Sequence, residues 1–203
     1  MNAEDENKYD QHRVIWRLRW TQRVLLVLGC LAVTYAAFTL IYAQIYQQAA
    51  DNSLNEQSRA EKTYGVSLPH AVAREGDVLG RIEIPRLGVA VAVLEGTKSR
   101  TLRLGAGHIE GTPFPGEPGT SGIAGHRDTF FRRLKDIRSG DEIRLQTTKG
   151  ITYYEVDWIQ IVAPRDTSVL SSTAKSAITL VTCYPFRYIG SAPERYAVHA
   201  HQR

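Results

Sequence analysis

The chain has 203 residues and a formal net charge of +4, enough length for one domain plus a tail or anchor. The basic excess is mild, and no dense Lys/Arg stripe or nucleic-acid-binding motif occurs outside the N-terminal segment, which argues against nucleic acid as a partner. The two cysteines, Cys30 and Cys183, lie in segments of opposite character, so a disulfide between them is not expected and Cys183 reads as a free thiol.

Residues 1–23 open with the acidic cluster Glu4-Asp5-Glu6 and turn basic at Arg13, Arg17, Arg19 and Arg23, with Trp16 and Trp20 among the arginines. Residues 24–46 carry no charge. As a helix they cross the roughly 30 Å hydrocarbon core of a bilayer. The tryptophans mark the near edge of that span, and Tyr42 and Tyr46 the far one. The positive-inside rule makes residues 1–23 a cytoplasmic tail and puts everything after Tyr46 outside, a single-pass topology. A cleaved signal peptide is the competing reading, favoured by Ala49-Ala50 and opposed by an apolar span longer than the usual 7–15 residues or so. Residues 47–75 are polar and able to form a helix through Lys62; Gly65, Pro69 and Gly76 then mark a linker.

The periodicity changes at Asp77. Residues 78–85 alternate apolar and polar and stop at Pro85, a half-buried strand. Residues 88–94 form a second strand, and 101–104 a short helix. A Gly- and Pro-rich loop covers 111–119, a short strand at 122–125 leads to His126, and 129–137 form one or two helical turns. Further strands are expected at 142–147, 152–162, 177–183 and 195–200. Short strands at regular spacing with little helix indicate a mainly β, antiparallel-rich barrel over residues 76–203.

The run Thr179-Leu180-Val181-Thr182-Cys183 ends two residues before Pro185, so the cysteine sits at a strand end. If the run 194–200 pairs beside it, Arg195 lies next to Cys183, and a guanidinium biases a thiol toward its thiolate. The bland alternative is a buried structural cysteine beside a solvated arginine. Thr-Leu-Val-Thr-Cys with a downstream Arg, preceded by Ile123-Ala124-Gly125-His126-Arg127-Asp128, resembles the signature of the sortases, membrane-bound cysteine transpeptidases of bacterial surfaces, and looks closest to their class D. The resemblance implies an eight-stranded sortase-like β-barrel behind one transmembrane helix. It also implies Cys183, His126 and Arg195 as catalytic residues. The sequence shows no dense acidic cluster for Ca²⁺, so no cofactor or metal is expected. The implied partners are the membrane, surface proteins bearing a C-terminal LPxTG-like sorting signal, and an amine acceptor on peptidoglycan, a lipid precursor or a pilin lysine.

In residue chemistry, Cys183 is the nucleophile, His126 the proton shuttle, and Arg195 a hydrogen-bond donor that cannot act as a base. Asp128 receives no role. His108 and Thr182 are read as structural or substrate-proximal. His199 and His201 alternate on one strand, but two ligands are too few for a zinc site. Arg127 and Arg187 read as solvated, with Arg187 within reach of a substrate. Two other functions stay open: a non-catalytic anchored binding module with an inert thiol, and a plain cysteine hydrolase.

Overall fold

A computed structural model describes residues 3–64 and 73–203. The Gly65 and Pro69 breaks expected in the linker lie outside the described residues. The chain divides into two compact units, Met1–Gln44 and Ile45–Arg203, and one helix, α1 (Ala3–Tyr64), runs through the first and into the second.

In the first unit, Leu25, Leu26, Leu31, Val33, Phe38 and Leu40 are all exposed. A helix apolar on every side finds no stabilising burial in water and suits lipid. Its threonine hydroxyls are satisfied within the helix: Thr34 Oγ1 donates to Cys30 O and Thr39 Oγ1 to Ala36 O, each at 2.8 Å. The rings of Trp16 and Trp20 meet at 5.7 Å and those of Phe38 and Tyr42 at 6.2 Å. Residues 16–56 are long and apolar enough to cross a membrane, compatible with a single-pass anchor.

The second unit is a closed barrel with strand order β1-β2-β3-β4-β7-β8-β6-β5. The strands are β1 (Val78–Ile84), β2 (Val89–Glu95), β3 (Ala106–His108), β4 (Gly119–Ala124), β5 (Glu142–Thr147), β6 (Gly150–Val162), β7 (Ser176–Tyr184) and β8 (Glu194–Gln202). All neighbours pair antiparallel except β2–β3 and β4–β7, which are parallel. Ile82, Ile84, Val91, Val93, Ile123, Ile143, Leu145, Ile178, Leu180 and Val198 are fully enclosed in the barrel. They occupy alternate positions along their strands, as the pleat requires. Phe131 and Leu134, at the 3-10 helix Arg132–Asp136, join this core within the segment where helical turns were expected.

Strand β2 is buried on both faces. Val89, Val91 and Val93 point inward, while Ala92 and Leu94 pack outward against Ala50 and the half-buried Tyr46 of α1. Gln47 completes this seam: its Oε1 accepts from Ala92 N at 2.8 Å and its Nε2 donates to Leu104 O. Asp51 pairs with Arg81, and Leu54 is buried. The start of the second unit's helix is thus an outer layer of the barrel. Strand β3 was not expected. Ala106 and Gly107 are small, and a Cβ on Gly107 would sit 2.2 Å from Gly96 O, so the close approach of the chain just past β2 demands glycine there.

Elsewhere Arg86 grips the buried Asp141 with both carboxylate oxygens at 2.5 Å, which holds that carboxyl below its usual range.

Candidate active site

Strand β7 is built from β-branched and apolar residues and ends at Tyr184, just before Pro185, which cannot donate to a ladder. Alternation sends Ile178, Leu180, Thr182 and Tyr184 to the interior and leaves Thr179, Val181 and Cys183 on the outer face. On β8, Arg195 is the direct register partner of Cys183. The neighbouring arrangement anticipated for these two residues is therefore present.

His126 comes from the other side of β7. Strands β4 and β7 run parallel, with Ala124 paired to Val181. Two further bonds extend the pairing: Gly125 N donates to Val181 O at 3.0 Å, and Thr182 Oγ1 donates to Gly125 O at 2.6 Å. His126 stands two residues past Ala124 and Cys183 two residues past Val181, so both occupy the same end of the barrel. A Cβ on Gly125 would lie 2.5 Å from the Phe131 ring, and glycine lets the chain turn there. Phe131 N then donates to His126 O at 3.1 Å and closes the turn. Cys183, His126 and Arg195 are all half-buried, with part of each side chain open to solvent.

The Arg195 guanidinium donates from Nη1 to Ala192 O at 3.2 Å and to Glu194 O at 2.9 Å. Beneath it on the inner face lie the rings of Tyr184, Phe186 and Tyr196, with centroids 5.1 to 6.1 Å apart. Burial pushes the Tyr196 hydroxyl up, which keeps it protonated beside the site. This aromatic floor was missed in the sequence, although Tyr184 and Tyr196, each one residue past Cys183 and Arg195 and so on the opposite face, were a signal for it. On the outer face the 3-10 helix Ser168–Leu170 lies over β7, where Thr179 Oγ1 donates to Val169 O at 2.9 Å.

Neither His108 nor Thr182 reaches the surface; each is 2% exposed. Thr182 gives its hydroxyl to Gly125, as above. His108 Nδ1 lies 2.8 Å from Glu95 Oε2, its Nε2 faces Pro113 O at 3.1 Å and Thr112 Oγ1 at 3.0 Å, and its ring stacks on Phe114. His199 stacks on Trp158 at 4.8 Å with Nδ1 3.0 Å from Thr179 Oγ1, while His201 Nδ1 meets Asp157 at 2.6 Å. Burial lowers the His199 pKa, partly offset by Asp157. Among the described residues, no group of three or more His, Cys, Asp or Glu side chains is placed to hold a metal.

A sortase domain model matches residues 82–203. The chain belongs to the sortase family. Sortases are cysteine transpeptidases. Over 125 residues the chain is 38% identical to the sortase D of Bacillus subtilis (strain 168), covering 61% of this chain and 63% of that protein. Against the sortase A of Bacillus anthracis the identity is 29% over 132 residues, 63% of this chain and 62% of that one. The chain thus spans less than two thirds of the length of these two relatives. Among solved structures, a Clostridium perfringens sortase D5 transpeptidase superposes with a TM-score of 0.65 at 29% identity, over 78% of this chain and 98% of that one. Sortase C from Clostridium perfringens SM101 gives 0.60 at 30% identity, over 78% and 89%. The eight-stranded sortase barrel implied by the sequence resemblance is the barrel observed.

Proposed function

We propose that this chain is a membrane-anchored sortase of class D type, with Cys183 as nucleophile, His126 as acid and base, and Arg195 as oxyanion donor. One observation carries the reading: β7 is flanked by β8, which sets Arg195 opposite Cys183, and by β4, which delivers His126 to the same barrel end. A binding module has no need of that juxtaposition. The Cys183 thiolate attacks the carbonyl carbon of the Thr in an LPxTG-like sorting signal. As the tetrahedral adduct collapses, the C–N bond breaks and His126 protonates the departing amine. The acyl group remains on Cys183 as a thioester. An incoming amine, from a peptidoglycan or lipid precursor or from a pilin lysine, loses a proton to His126 and attacks the thioester, expelling the thiolate. Arg195 donates to the carbonyl oxygen as it gains charge.

In the proposed organisation, residues 1–23 are a cytoplasmic tail, 24–46 the membrane anchor, 47–75 the connection and 76–203 the extracytoplasmic catalytic domain. The connection is more than a tether, since its first turns are packed on β2.

One experiment tests chemistry and sidedness together. Intact spheroplasts receive a membrane-impermeant sorting peptide and an amine, and the recovered protein is examined by mass spectrometry. An acyl adduct on Cys183, resolved by the amine, is the expected result. An adduct formed only after lysis would place the domain in the cytoplasm. Resolution by water alone would make the protein a hydrolase. No adduct, even with the purified full chain, would sink the transpeptidase reading.

A further inference from the structure

Arg127 follows His126 directly, and its guanidinium is engaged by the loop that follows Cys183. Nη1 donates to Pro185 O at 3.1 Å, and Nη2 donates to Tyr188 O at 2.7 Å and to Gly190 O at 3.3 Å. The same group lies over the Tyr188 ring, 5.8 Å from its centroid. All four contacts fall in the connection between β7 and β8. Beyond Phe186 that connection has little apolar burial of its own: residues 187–191 are exposed, and Ile189 is fully so. Its returning half is held by Arg195, which donates to Ala192 O and Glu194 O. Its outgoing half is held by Arg127. The sequence reading of Arg127 as a solvated cation does not survive these contacts.

Geometry explains why an arginine stands here. Loop carbonyls outside a ladder need donors. A planar guanidinium offers several N–H groups in fixed directions and a face for an aromatic ring, whereas an ammonium is a point charge with neither. We propose that Arg127 is a positioning residue, a strap that fixes the β7–β8 loop to the chain segment bearing His126. The two ends of the strap are one residue from His126 and two residues from Cys183. The loop is thereby held as one wall of the peptide groove, in register with both reacting groups. The groove rests on the transpeptidase reading; the strap does not.

The test compares full-length wild type, Arg127→Ala and Arg127→Lys in detergent. Trypsin cleavage after the exposed Arg187 reports the loop, and cleavage after Lys175 serves as an internal reference. Both variants should be nicked at Arg187 about 10-fold faster or more, with Lys175 unchanged. With a sorting peptide and an amine, kcat/KM should fall about 10–100-fold, mostly through KM. Alkylation of Cys183 by iodoacetamide should stay within about twofold of wild type, since the strap does not act on the thiol itself. An unchanged rate of nicking at Arg187 in Arg127→Ala overturns the proposal, whether or not any peptide is cleaved. Restored turnover in Arg127→Lys together with slowed alkylation in Arg127→Ala also overturns it, because Arg127 would then act as a charge on the thiol. If wild type cleaves nothing while nicking rises in both variants, the transpeptidase reading fails and the strap stands.

Discussion

Cys183→Ala is expected to abolish both thioester formation and peptide cleavage, because the only other cysteine, Cys30, lies in the apolar helix. Cys183→Ser should be nearly as inactive, since a hydroxyl is far less acidic than a thiol. His126→Ala should remove most activity by leaving the departing amine unprotonated. Arg195→Lys separates two roles for the guanidinium. If Arg195 directs hydrogen bonds at the oxyanion, lysine loses that geometry and kcat falls by about 10²-fold or more. If it acts only as a nearby positive charge, Lys retains substantial turnover. Its position as the register partner of Cys183 favours the geometric role. Single-turnover assays, with circular dichroism as the folding check, measure all of these. A folded Cys183→Ala protein that still cleaves the peptide would refute the thiol mechanism.

The second large effect is on stability. His108→Ala leaves Glu95, 8% exposed, without its ring partner in the barrel interior. The expected cost is about 3 kcal/mol, typical of a buried acid deprived of its partner. It is read as a lower midpoint in urea with Trp158 fluorescence. Replacing both residues, as in His108→Leu with Glu95→Leu, should recover much of that loss, because no buried polar group is then left without its partner. A single substitution costing under about 1 kcal/mol would show that the pair contributes little.

Much of the barrel was legible because its strands carry their faces in their spelling. Val78–Ile84 alternates, and the runs ending at Cys183 and beginning near Arg195 are rich in residues that prefer a pleated, half-buried surface. That His126, Cys183 and Arg195 stand at or beside strand ends was legible in the same way, while singling them out together rested on the sortase resemblance. Strand β3 was not, because Ala106 and Gly107 are too small to carry a period and His108 is paired to Glu95 through the fold alone. The layer that α1 adds to the barrel was hidden in a segment whose average polarity masks Ala50 and Leu54. Arg127 was misjudged because its partners are backbone carbonyls, which no residue letter reveals.

The parallel pairing of β4 with β7 has a consequence for how the protein comes into being. Gly119 must find Ser176, and β8 must then close the ring between β7 and β6. Such distant pairings bear a loop-closure entropy before any contact offsets it, so refolding should take milliseconds to seconds, a time that a stopped-flow trace reads directly. Until β7 is flanked on both sides, Cys183 lacks His126 at its level, Arg195 opposite it, or both. A nascent chain that stops short of β8 has no Arg195 opposite the thiol, and the candidate catalytic arrangement exists only in the finished barrel.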